Sequence, residues 1–140
     1  MTKLLASREA LLMVAIAFLL AIIAWRFPAF VVPSNLLAVF NDTSPLILLA
    51  IGQMIVILTK CIDLSVAANL ALTGMVVSLI NIAAPGLPVI FIVLIAVGFG
   101  TLLGMFNGIL VWKLAIPPIV VTLGTMTIFR GIIFLLTVGK

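Results

Sequence analysis

Residues 52–74 read GQMIVILTKCIDLSVAANLALTG, and the reading of this stretch decides the fold. Two apolar arms flank a short polar knot, Thr59-Lys60-Cys61-Ile62-Asp63-Leu64-Ser65. Beside apolar arms of this length, polar groups must find partners within the protein, because lipid offers none. Gln53 sits in the first arm, and Ser65, Asn69 and Thr73 follow in the second at i, i+4 and i+8. At about 100° per residue those three fall within one narrow strip of a helix face. Such a strip either lines a pore or bonds neighbouring helices together. Asp63 has the position and chemistry of an N-cap for a helix beginning near Leu64. The knot is then a tight turn at the membrane surface or a break inside a span.

Composition bounds the rest. Hydrophobic residues make up 66% of the 140 and charged ones 7%, where a soluble domain carries roughly a quarter charged. The resulting fold class is an all-α, polytopic transmembrane helical bundle. The net charge of +4 comes from few, scattered residues, so it reports topology and not nucleic-acid binding. A single cysteine excludes an internal disulfide framework, and the lack of histidine with only three carboxylates leaves no metal site and calls for no cofactor. Lys60 and Asp63 are too isolated to form an acid–base pair. No Walker-type phosphate loop and no nucleophile–base pairing occurs, so the chain reads as a non-enzyme.

From its start, the chain carries a short polar head with Lys3 and Arg8, then an apolar run from Ala10 to Trp25. A signal peptide competes for this run, but Trp25-Arg26-Phe27-Pro28 offers no small-residue cleavage site, so a retained first helix is expected. Residues 26–42 read as a loop or surface helix, kept irregular by Pro28 and Pro33. A second span is expected over Pro45–Thr59, with Pro45 at its start. The third runs Leu64–Ala84 and ends in a turn carrying Pro85, Gly86 and Pro88. In the fourth, Leu87–Trp112, Gly100, Gly104 and Gly108 recur every four residues, a ridge suited to close helix packing. Asn107 lies beside that ridge and serves either packing or a pathway.

Ile116-Pro117-Pro118 forces an extended entry to a fifth span from Ile119. Thr122 and Thr125 share one face of it, and Gly124, Thr127 and Gly131 another. Arg130 falls about 18 Å into that helix at 1.5 Å per residue. It must snorkel to the far interface, or face protein or water. With the amino end in the cytoplasm, Lys3, Arg8, Lys60 and Lys113 all lie inside and Arg26 outside, the orientation that basic residues favour. Five spans then strand Lys140 outside just past a helix, and the chain looks cut.

Three motifs in order, GQ…T..IDLSV, a glycine-ridged helix ending FNGILV, and KLAIPPIVVTLGTMTIFRG, carry a resemblance. The sequence resembles the permease subunits of ribose-type bacterial ABC importers, with the rhamnose and autoinducer-2 branches matched as well as the ribose one. The likeness covers nearly everything from Ser44 onward. It implies a single transmembrane domain that is the amino-terminal part of a larger permease in the bacterial inner membrane. The partners it implies are a periplasmic sugar-binding protein, a second permease copy and a separate ATPase subunit. It also places Asp63, Ser65 and Asn69 near the translocation path, and Gln53, Thr73, Asn107, Thr122, Thr125 and Arg130 join them as candidate pathway residues. One departure is Ala67, where such permeases usually carry a glycine after IDLSV.

Two readings of another class compete. A small proton-coupled exporter needs a carboxylate inside a span, whereas Glu9 lies in the head and Asp42 and Asp63 near span ends. A non-transporting fragment or membrane-structural subunit is the other.

Overall fold

The structure is a computed structural model that describes residues 8–137; Lys3 and Lys140, which enter the expected topology, lie outside those residues. The described chain is all-helical, with α1 Arg8–Arg26, a short 3-10 turn Pro28–Val31, α2 Pro33–Leu58, α3 Val66–Ala83, α4 Val89–Leu114 and α5 Pro118–Thr137. Helices α2 to α5 are each long and apolar enough to cross a membrane, and the shorter apolar helix Ala10–Arg26 precedes them. The all-α multi-span bundle expected from composition is therefore the fold.

The chain divides into two compact units, residues 1–48 and 49–140. In the first, α1 packs on the 3-10 turn. Arg26 closes α1 with its guanidinium 5.0 Å from the centre of the Phe27 ring. The Asn35 amide donates to the Ala29 carbonyl at 2.6 Å and holds the turn onto the start of α2.

The start of α2 differs from the sequence expectation. The segment 26–42, expected as loop or surface helix, contributes the 3-10 turn and the first turns of α2, and Pro45 lies inside that helix instead of starting it. Pro33 takes the first helical position, where a missing N–H costs nothing. Pro45 leaves the Asn41 carbonyl without its helical donor. The Ser44 hydroxyl supplies one, donating to Asn41 O at 2.8 Å. Thr43 makes a similar bond to Val39 O at 2.6 Å. Hydroxyl side chains of this kind let a membrane helix carry proline without an orphaned carbonyl.

In the second unit, α3 packs on both α4 and α5, and α4 on α5. Ser65 meets Asn107, and Asn69 meets Gly100, so α3 and α4 run antiparallel. Ala68, Leu72 and Phe129 form the core, with Val76, Phe99, Leu103, Met126 and Ile133 around it. Ala68, Leu72 and Val76 make one stripe of α3, and the polar Ser65–Asn69–Thr73 strip lies directly beside it. The outward faces carry residues such as Leu102, Phe106, Ile128 and Leu135, all exposed, as lipid-facing helices require.

Candidate functional site

The knot is built by the way α2 ends. Lys60 has φ 59°, a left-handed conformation usually given to glycine. The Lys60 N–H bonds Ile57 O at 2.8 Å and the Cys61 N–H bonds Val56 O at 3.3 Å, the paired pattern of a Schellman helix end. A residue with a side chain adopts this conformation at a cost of about 1–2 kcal/mol, so the turn must be held by contacts made further along the chain.

Those contacts are polar bonds drawn from separate helices. Asp63 Oδ1 accepts the Ser65 N–H and the Ser65 hydroxyl, both at 2.7 Å. The Gln53 amide, from α2, donates to the Asp63 carbonyl at 3.1 Å. The Asn107 amide, from α4, donates to Ser65 Oγ at 2.8 Å. Thr122, from α5, comes within 3.4 Å of the Ile62 carbonyl, although its shortest bond is to Pro118 O of its own helix at 2.9 Å. Asp63 thus organises the start of α3, but the expectation that it is the N-cap of a helix from Leu64 is corrected: the cap position is Ser65 and the helix begins at Val66. The two-residue reach of the Asp side chain to the Ser65 N–H makes a local turn that ends where the helix starts.

These bonds settle where the break lies relative to the helices. Asn107 stands about 10 Å before the end of α4 at Leu114, and Thr122 about 6 Å into α5, at 1.5 Å per residue. The polar bonds of the knot therefore reach α4 and α5 short of the helix ends that face it. A cleft of about 190 Å³ opens beside it, lined by Val56, Cys61, Ile62, Asp63, Gly104, Asn107, Gly108, Val111, Pro118 and Thr122. It is smaller than the roughly 300–1,000 Å³ of a full small-molecule pocket.

Among the sequence-derived candidates, Asp63, Asn107 and Thr122 line this cleft. Ser65, 1% exposed, lies behind them and ties Asp63 to Asn107. Gln53 braces the knot from α2, and its Oε1 is buried without a partner among the described residues. Asn69 and Thr73 lie elsewhere. The Asn69 amide donates to Gly100 O at 3.2 Å and accepts from the Thr73 hydroxyl at 3.2 Å, so both serve the α3–α4 contact. Thr125 is buried and returns its hydroxyl to Val121 O of its own helix at 3.1 Å. Arg130 is exposed on α5 and stands apart from the cluster.

The glycine ridge divides in the same way. A Cβ at Gly100 would lie 3.5 Å from Thr73 Oγ1 and 3.7 Å from Asn69 Oδ1, whereas one at Gly104 or Gly108 would meet nothing within 4 Å. Close helix approach along this ridge is thus confined to Gly100 within the described residues; the other two open onto the cleft. Cys61 is one of five cleft residues that the candidate set lacks, with Val56, Ile62, Val111 and Pro118. Its side chain is not part of any polar pattern, and only the helix end formed through Lys60 brings it there.

Comparison with known proteins places this architecture. The chain is 39% identical over 140 residues to the autoinducer-2 import system permease LsrC of Enterobacter sp. strain 638, covering all of this chain and 40% of the relative. It is 37% identical over 127 residues to the ribose import permease RbsC of Haemophilus influenzae, covering 91% of this chain and 39% of the relative. Against the galactofuranose transporter permease YtfT of Escherichia coli, identity is 43% over 102 residues, covering 73% and 29%. The chain thus spans about two-fifths or less of the length of these relatives. No solved structure matches it. A family profile described as the permease component of branched-chain amino acid transport systems matches residues 35–140, and the chain belongs to that family of membrane permease components.

Proposed function

We propose that this chain forms part of the inward translocation path of an importer for a monosaccharide or related small polyol. The observation that carries this reading is the convergence of Asp63, Asn107 and Thr122 on one cleft beside a helix break. Hydroxyl-rich ligands both donate and accept, and a carboxylate, an amide and a hydroxyl answer both needs. An amino acid would ask for an anionic and a cationic partner together, and no basic residue lines the cleft. The relatives' names, which specify ribose, galactofuranose and autoinducer-2 import, support a polyol rather than the amino acid of the family description. Energy comes from a separate ATPase subunit, the ligand from a periplasmic sugar-binding protein, and a second permease copy completes the path. The chain sits in the bacterial inner membrane as one transmembrane domain, the amino-terminal part of a larger permease, with its amino end cytoplasmic.

The pathway role is read in a ribose-import permease whose matching segment is replaced by this chain. Thr122→Val, which removes a hydroxyl at nearly constant volume, is expected to lower D-ribose uptake per assembled complex about fivefold, the worth of one neutral hydrogen bond. Asn69→Leu should lower the amount of complex and leave uptake per complex near normal, because its amide holds α3 to α4. Full uptake per complex in Thr122→Val would remove this face from the path.

Orientation is tested separately. Reporter fusions after Lys60 and after Lys113 should both report the cytoplasm, since each lysine sits at the same end of antiparallel helices and basic residues stay inside. A periplasmic signal at either site overturns the orientation.

A further inference from the structure

Gly104 and Gly108 occupy the place where the sequence suggests a packing seam, yet a Cβ at either would meet no atom within 4 Å. Both line the cleft, with Asn107 between them on α4. Asn107 is only 5% exposed, and while its Nδ2 donates to Ser65 Oγ, its Oδ1 is buried without a partner among the described residues. A buried acceptor left unpaired is rare enough to require a reason. We propose that Gly104, Asn107 and Gly108 form a seat for a ligand hydroxyl, in which the glycines leave room against the α4 backbone and Asn107 Oδ1 accepts a hydrogen bond from the hydroxyl.

The seat rests on the polyol reading and adds to it the group that selects. Oδ1 is shielded from water in this state, so the amide turns about its last side-chain torsion, or the cleft widens, before a donor reaches it. That turn gives up the Nδ2 bond to Ser65 Oγ, a loss the ligand hydroxyl must offset, while Ser65 Oγ keeps its 2.7 Å bond to Asp63. A ligand with hydrogen or an ether oxygen at this point leaves Oδ1 unpaired, and sites built this way reject such analogues strongly. The floor needs glycine for a related reason, since any side chain at 104 or 108 projects into the space that the ligand would fill.

Cys61 lines the same cleft and is the only cysteine in the chain, so it serves as a native reporter. The measurement is the rate at which a small maleimide modifies Cys61 in membranes carrying the full chain, alone and with D-ribose or leucine. D-ribose is expected to slow modification of the unaltered protein. Asn107→Ala should raise the ribose concentration for half-protection about five- to tenfold, read against that variant's own ligand-free rate. Gly104→Val should slow modification without ribose and abolish any further effect of the sugar. Gly98→Val, equally free of neighbours but outside the cleft, should behave as the unaltered chain. Ribose protection that survives both Asn107→Ala and Gly104→Val overturns the seat and leaves the polyol reading intact. Protection by leucine and not by ribose overturns that reading, and the hydroxyl seat with it. A Cys61 that does not react in the unaltered protein also overturns the proposal, because the cleft would then be closed.

Discussion

Asp63→Ala is expected to destabilise the chain by about 3 kcal/mol, from two buried donors losing their acceptor at once. Both bonds to Asp63 Oδ1 are short, 2.7 Å, and both donors belong to Ser65, a residue 1% exposed. Ser65 itself is enclosed, and lipid supplies its donors no substitute acceptor. The damage does not stay local. Ser65 Oγ also accepts from Asn107 on α4, and the Asp63 carbonyl accepts from Gln53 on α2. Releasing the turn therefore loosens the joint between α2, α3 and α4, and frees Lys60 from its left-handed conformation. Asp63→Asn keeps an acceptor oxygen and should lose only about 1 kcal/mol, the difference between a charge-assisted and a neutral hydrogen bond. The two variants are compared by thermal unfolding of the purified chain in detergent, followed through helicity. An alanine variant as stable as the unaltered chain would mean that the knot is not held through this carboxylate.

How much of this was legible in the sequence depends on whether the signal is local. The all-helical class and the four long apolar helices follow from apolar runs, because a hydrocarbon environment leaves the backbone few options, whereas the first of the five expected spans is the shorter helix Ala10–Arg26. The end of α4 and the start of α5 were readable at Ile116-Pro117-Pro118, where proline restricts the residue before it. Pro45 misleads because the rule that places proline at a helix start takes no account of the neighbouring hydroxyl. Once Ser44 satisfies the Asn41 carbonyl, the helix continues through.

The polar strip shows another limit. Periodicity tells that Ser65, Asn69 and Thr73 share a face, but not what that face meets. Ser65 turns out to join the knot and the other two the α4 contact. The bond between Asn107 and Ser65 spans 42 residues, and no sequence window contains it. The division of the glycine ridge is equally hidden, since an i+4 repeat is the same for a seam and for the floor of a cleft.

That division makes Gly100→Leu the substitution on α4 with the largest expected effect, about 2–4 kcal/mol of stability. At Gly100 the neighbours are already at van der Waals distance, Thr73 Oγ1 at 3.5 Å and Asn69 Oδ1 at 3.7 Å from a Cβ. A methyl group fits with small adjustment, but the further carbons of leucine fall on the polar strip of α3. Overpacking of this kind costs about 1–3 kcal/mol. The separation it forces also breaks the bond from the Asn69 amide to Gly100 O, and an interhelical hydrogen bond in a membrane protein contributes about 0.6 kcal/mol on average. Lipid cannot drive the helices back together, being as apolar as the side chains it would replace. Gly100→Ala should change stability by no more than about 1 kcal/mol, because its better helix propensity offsets part of the crowding. Unfolding in detergent distinguishes these outcomes, with Gly98→Leu as the reference for a leucine whose Cβ meets no neighbour. If leucine at 100 is tolerated as well as leucine at 98, α3 does not approach α4 at this point, and the Asn69 bond that depends on that approach is not formed.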